Sequence, residues 1–189
     1  MDAHESDEAL IARYAQGDAA AFETLYRRHE MRIWRYLERN VSNRATAEEL
    51  MQEVWFAVAR DAERYAPTAR FTTWLFTIAR NRMIDSIRTS RPQVSLEALG
   101  YEAAPVIQQL TAQAQVGPLA AVVSREEARA LIRAIGQLPH EQRDAFLLQV
   151  EGDLSVEEVA VITRSSFEAT KSRLRYARTK LRELLTEYA

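Results

Sequence analysis

The chain has 189 residues and no cysteine, with 25 Lys and Arg against 27 Asp and Glu for a net charge of −2. Without cysteine, disulfides, thiolate metal sites and cysteine nucleophiles are excluded. Five glycines and five prolines amid abundant Ala, Leu, Arg and Glu argue against a sheet of tight hairpins, so the fold class is read as all-α. The length suits two small helical domains of about 70 to 90 residues each. The acidic start, Met1 to Asp7, lacks the basic and apolar runs of a signal peptide, and no later apolar run is long enough to span a bilayer. No membrane insertion is expected.

A short amphipathic helix is predicted from Asp7 to Gln16 with Leu10, Ile11 and Tyr14 inward, and Gly17 sits where a helix end favours positive φ. Asp18 restarts the chain. The next helix carries Phe22, Leu25, Tyr26, Ile33, Tyr36 and Leu37 at the period of one buried face. A third is predicted over 46–60, burying Leu50, Met51, Val54, Trp55 and Val58. Residues Asp61 to Arg70 break the period, and Pro67 disfavours helical geometry at Ala66, which predicts a loop. From Phe71 to about Arg88 the chain is helical again. Thr77, Asn81, Asp85 and Arg88 form a polar stripe there, while Leu75, Ile78, Ala79 and Met83 face inward.

Arg91-Pro92 closes this first domain (1–91), and residues 92–122 mix Gly, Pro, Ser and Gln without a sustained period, as a flexible linker does. A helical turn around Val106 to Leu110 is one expectation within it. The second domain (123–189) opens with Ser124 and Glu127 as a capping box. Pro139 suits the first position of a following helix that Gly152 ends. Ser155-Val156-Glu157-Glu158 is another capping box, followed by a short helix, a turn at Arg164-Ser165-Ser166 and a long helix from Phe167. This is helix-turn-helix spacing. In the long helix Thr170, Leu174, Ala177, Leu181 and Leu184 step by four, three, four and three, and Lys171, Arg175, Arg178 and Arg182 repeat those steps one residue later. One face packs and its neighbour is cationic.

Net charge conceals this segregation. Arg70, Arg80, Arg82, Arg88 and Arg91 form one basic patch and the last long helix another, while acid collects at Glu48, Glu49, Glu53, Asp61 and Glu63 and again between Glu141 and Glu158. A helix held by a turn against a supporting helix can enter the major groove, its first turns reaching base edges and its flanking cations neutralising phosphates; the alternative is an amphipathic helix with a solvated basic side. Lys171, Ser172, Arg175 and Tyr176 are best placed for bases, Arg173 and Arg178 for phosphate. Enzyme chemistry has no support: His4, His29 and His140 lie far apart in sequence, there is no phosphate-binding glycine loop, and nothing calls for a cofactor or metal.

Together these segments resemble the extracytoplasmic-function (ECF) subfamily of bacterial sigma-70 type RNA polymerase sigma factors. Gly17-Asp18-Ala19-Ala20-Ala21-Phe22 with Leu25-Tyr26 is similar to the family's opening motif, and Ala47 to Trp55 (AEELMQEVW) to its core-binding segment. Thr73 to Asn81 (TWLFTIARN) with Ile84-Asp85 and Arg88 is similar to its promoter-melting helix. Leu138-Pro139, Arg143, Phe146-Leu147, Leu154-Ser155, Glu157 to Ala160, and Lys171 to Leu174 with Ala177-Arg178 and Leu181 resemble its fourth region.

The resemblance implies a cytoplasmic bacterial sigma factor that directs polymerase core to promoters. Domain 1–91 would act as region 2, for core binding and the −10 element, and domain 123–189 as region 4, for the −35 element. Glu49, Gln52 and Glu53, assisted by Glu48, would meet the clamp helices of polymerase's largest subunit, and region 4 the flap of the second-largest. Arg64, Arg70, Trp74, Arg80, Asn81, Arg82 and Arg88 would serve the −10 strand, with Asn81 the leading reader of an exposed base and Trp74 divided between core and DNA. Arg164, Ser166, Glu168, Lys171, Ser172, Arg173, Arg175, Tyr176 and Arg178 would serve the −35 duplex. The linker would thread the polymerase channel toward the RNA exit. An anti-sigma factor would supply control in trans, since only Thr186 to Ala189 follow the last predicted helix.

Two departures stand out. Arg164 occupies the turn where the family usually has glycine, and Glu168-Ala169-Thr170 replaces its Gly-Thr-Val step, so no relative's −35 preference transfers. The alternative functions are a stand-alone helix-turn-helix transcriptional regulator binding DNA as a dimer, which leaves the first domain unexplained, and a helical adaptor, which leaves the two cationic faces unexplained.

Overall fold

Caps and breakers in the sequence start and stop the helices of the structure, a computed structural model that describes residues 5–41, 43–89 and 125–186. Ser6 accepts from the Ala9 amide to begin α1 (Asp7–Ala15), and Gly17 at φ +99° turns the chain where a side chain would be strained. Asp18 caps α2 (Ala19–Asn40) and Asn43 caps α3 (Arg44–Asp61), which starts two residues earlier than its periodicity predicts. A single 3-10 turn (Ala62–Arg64) leads into the loop before α4 (Phe71–Thr89). The Glu8 carboxylate of α1 accepts from the Phe71 amide at 2.9 Å, satisfying one of the unpaired donors that open α4.

In the second half lie α5 (Arg125–Gly136), α6 (His140–Gly152), α7 (Val156–Thr163) and α8 (Phe167–Thr186). Pro139 is the residue before α6 rather than its first helical position, a one-residue correction, and it makes no side-chain cap. The Ser155–Glu158 capping box is present in both directions. The Ser124 cap, the 92–122 linker and the turn expected around Val106 lie outside the described residues.

Every helix of the described residues turns an apolar face into one continuous core. Leu25, Ile33, Leu50, Val54, Val58, Leu75 and Met83 are buried within the first half, and Leu147, Leu148, Val159, Ile162, Leu174 and Ala177 within the second. The two halves meet where α2 and α4 pack on α6 and α7. Tyr36 and Phe76 cross edge to face at 5.5 Å on this seam. A Cβ at Gly152 would lie 2.7 Å from the Leu154 side chain, so a larger residue there would displace that leucine from the core beside Phe76.

Candidate functional site

On α3 the core and working faces separate cleanly. Ala47, Leu50, Val54, Trp55, Ala57 and Val58 are buried, while Glu48, Glu49, Gln52 and Glu53 are exposed, as the sequence predicts. Glu48 is engaged by Arg44 at 3.0 Å, one turn away. The same outer surface carries Phe56, which is 73 % exposed. Phe56 was missed in the sequence because it lies inside an apolar run, yet it sits four residues after Gln52 and seven after Glu49, on their side of the helix. An exposed aromatic within an acidic face offers both charge and an apolar anchor to a partner.

The second set is held by the loop and α4. Tyr65 donates its hydroxyl to the Ala69 carbonyl at 2.7 Å, closing the loop on itself. Tyr65, Phe71 and Trp74 form an aromatic nest with centroids 5.2 to 6.1 Å apart, in which Trp74 is half-buried, with one part of the ring packed and the rest open to the surface. Burial pushes the Tyr65 hydroxyl's pKa up, with the charges of Glu8 and Asp7 adding to it. Beneath, the His29 ring lies tilted against Phe71 at 5.4 Å and shares a 2.6 Å hydrogen bond with Asp7. Burial would raise the Asp7 pKa, but the hydrogen bonds from His29 and Arg28 outweigh it and hold the group below its usual range. Asn81 and Arg88 are exposed, as are Arg64 and Arg70, and Arg82 is half-buried. Arg80 departs from this pattern, because it turns toward the second half.

In the helix-turn-helix, a chain of hydroxyls links α7 to α8 through the turn. Thr163 Oγ1 and Ser165 Oγ are 2.8 Å apart, and Ser165 Oγ and the buried Thr170 Oγ1 are 2.7 Å apart. Ser166 Oγ accepts from the Ala169 amide, capping α8. Arg164 takes left-handed backbone at φ 53°, the conformation that explains glycine in the family pattern. Beyond the turn, Glu168, Lys171, Arg175, Tyr176 and Arg178 are exposed, and Ser172 is half-buried. Lys171 lies over the Phe167 ring at 5.9 Å and Arg175 over Tyr176 at 4.9 Å, contacts that hold both cations near the helix surface. Arg173, expected to face phosphate, is half-buried on α8 and pairs with the exposed Glu141 of α6 at 2.7 Å. Arg178 donates to Gln149.

A polar network that the sequence did not disclose joins the halves. Glu151 is buried and receives Arg35 at 2.8 Å and Arg39 at 2.5 Å, while Arg32 donates to its carbonyl at 2.6 Å. Asp144, also buried, accepts from the Tyr36 hydroxyl and from Arg80, each at 2.7 Å. Burial drives the Tyr36 hydroxyl's pKa well up, and the Asp144 charge beside it adds to the shift. Thr73 donates to Glu158 at 2.6 Å. Two signals were present in the sequence: Arg28, Arg32, Arg35 and Arg39 run as a stripe along α2, and Asp144 and Glu151 occupy heptad-spaced positions on a helix face otherwise apolar.

The chain matches two family models, sigma-70 region 2 over residues 25–92 and sigma-70 region 4 over residues 128–181. It is 34 % identical to the RNA polymerase sigma factor CarQ of Myxococcus xanthus, over 94 % of this chain and 96 % of that protein. It is 35 % identical to the ECF RNA polymerase sigma factor RpoE of Cereibacter sphaeroides, over 88 % and 87 %. Its fold is similar to that of CnrH, solved in complex with the cytosolic domain of CnrY, with a TM-score of 0.67 at 23 % identity over 98 % of this chain and 100 % of that one. It is likewise similar to RpoE of Bartonella quintana, solved with the anti-sigma factor NepR, with a TM-score of 0.63 at 22 % identity over 87 % and 96 %. Two helical halves, a basic helix-turn-helix, both regional matches in order and relatives aligned along most of their length establish that this chain belongs to the ECF subfamily of sigma-70 factors, the proteins that direct RNA polymerase to promoters.

Proposed function

We propose a division of labour among three faces of this sigma factor. Glu49, Gln52 and Glu53, with Glu48 assisting and Phe56 as apolar anchor, dock α3 on the clamp helices of polymerase's largest subunit. The loop 61–70 and α4 take the melted −10 strand, with Asn81 at the base and Arg64, Arg70, Arg80, Arg82 and Arg88 along the backbone. Extruding a base costs a few kcal/mol of stacking, which cationic contacts and a fitted pocket must offset. The helix-turn-helix enters the major groove of the −35 duplex, where Lys171 and Arg175 reach base edges, and its half of the chain meets the flap of the second-largest subunit. Domains of 1–91 and 123–189 joined by 92–122 fit this division.

The observation that carries the proposal is the opposite sign of two outward faces: the exposed side of α3 is acidic and that of α8 is cationic. An acidic face does not serve DNA, and a cationic one does. CnrH and the Bartonella RpoE were each solved with a protein partner, and an anti-sigma factor is proposed here too, acting in the bacterial cytoplasm. No helix among the described residues is long and apolar enough to cross a membrane.

Run-off transcription with bacterial core polymerase tests the reading. The purified chain starts transcription from a limited promoter set, and replacing Glu49, Gln52 and Glu53 together by Ala abolishes core association while circular dichroism stays helical. Core binding by the triple variant would place the interface elsewhere. Tight dimeric operator binding without core would favour the stand-alone regulator.

A further inference from the structure

The first turn of α8 exposes one aromatic ring among polar neighbours. Phe167 opens the helix between the exposed Ser166 and Glu168, and it is 41 % exposed, outside the apolar core and outside the side chains packed against that core. The turn itself does not use the ring. Ser166 caps α8 through the Ala169 amide, and the hydroxyls of Thr163, Ser165 and Thr170 tie α7 to α8. Four residues on, Lys171 sets its ammonium 5.9 Å from the ring centroid, so a cation and open apolar surface stand together on one side of the helix.

We propose that Phe167 is a specificity-determining residue that reads a thymine of the −35 element, its ring packed on the C5 methyl group in the major groove. The inference rests on the reading of α8 as the helix that enters the −35 duplex. The N-terminal residues of such a helix are the ones that contact base edges. Thymine alone among the four bases presents an apolar group there, beside its O4 acceptor. Phe167 and Lys171 answer that pair with one apolar surface and one donor: the ring covers the methyl while the ammonium donates to an acceptor on the same or the neighbouring base. Glu168 does not compete for this edge, because a carboxylate accepts only from an amino group, which thymine lacks in the major groove. Cytosine in the same place would lose both contacts, having no methyl and turning an N4 donor toward Lys171. Uracil would lose the methyl contact alone.

Deoxyuridine isolates that contact, since it keeps every hydrogen-bonding group of thymidine and removes only the methyl. The full chain, assembled with bacterial core polymerase, first selects its −35 sequence from promoter duplexes randomised at that element. Each thymine of the selected sequence, on either strand, is then replaced singly by deoxyuridine and promoter binding is titrated. One replacement should weaken binding by the wild-type chain about fourfold, the worth of one buried methyl group. Phe167→Ala should bind the thymine and uracil forms of that promoter equally, and Phe167→Leu, which keeps an apolar side chain, should retain part of the difference. A selected sequence in which the wild-type chain nowhere distinguishes thymine from uracil overturns the proposal without recourse to any variant. Full discrimination kept by Phe167→Ala overturns it as well, by assigning the methyl to another residue. If the wild-type chain shows no −35 preference at all, the reading of α8 has failed and Phe167 falls with it, whereas a −35 preference without a thymine-to-uracil step removes Phe167 alone.

Discussion

Arginines of α2 and cations of α8 are spaced alike and meet opposite fates. Arg32, Arg35 and Arg39 sit against the second half and converge on Glu151, whereas Lys171, Arg175 and Arg182 stand at the open surface. The difference is supplied by the partner. A helical stripe of basic residues is a solvated face unless an acid at a core position elsewhere meets it, and then it becomes a joint between domains. Burial pulls the Arg39 pKa down, with the Glu151 carboxylate opposing it, the mark of a cation that depends on its partner.

The comparison breaks most sharply at Glu151. Glu151→Ala leaves Arg35 and Arg39 uncompensated at side-chain exposures of 10 % and 12 %, and should cost the closed arrangement about 3–5 kcal/mol. Hydrogen exchange should show lost protection along α6 and the facing part of α2. Unchanged protection would mean that the apolar seam alone holds the halves together.

Less of this joint than of the helices was legible beforehand. Ser155 and Glu158 cap a helix three residues apart, and Gly17 ends one locally, so both were readable from neighbours. The last long helix was equally plain, because packing and charge repeat within it. Arg35 and Glu151 are 116 residues apart, and no periodicity connects them. The ion pair of Arg80 could not be read because its acid, Asp144, belongs to the other half. Phe56 escaped for a different reason: an apolar run of Val54, Trp55, Phe56, Ala57 and Val58 does not say which member faces out until the helix is packed.

Phe56 and Arg175 sharpen the contrast between the two exposed faces. Phe56→Ala should weaken core polymerase binding by about 2 kcal/mol, roughly thirtyfold in Kd by titration, with thermal stability changed by less than about 0.5 kcal/mol. A loss of stability with core affinity retained would make Phe56 a packing residue. On the opposite-signed face, Arg175→Ala should reduce discrimination between −35 sequences by about 1–3 kcal/mol, and Arg182→Ala should weaken all duplexes alike and lessen the salt dependence. Competition binding at two salt concentrations separates these outcomes.

The smallest effect lies in the turn joining α7 to α8. Arg164 and Asp153 are the non-glycine residues with positive φ among the described residues, at 53° and 51°. Aspartate tolerates left-handed backbone because its short polar side chain bonds locally, whereas arginine has no such compensation. Arg164→Gly should therefore stabilise the protein by about 0.5–1 kcal/mol, and Asp153→Gly by less. Chemical denaturation gives the two values. If Arg164 also contacts a −35 phosphate, Arg164→Gly weakens duplex binding evenly across sequences while raising stability, and that pairing of opposite signs would show that this member accepts backbone strain in exchange for a cation at the DNA.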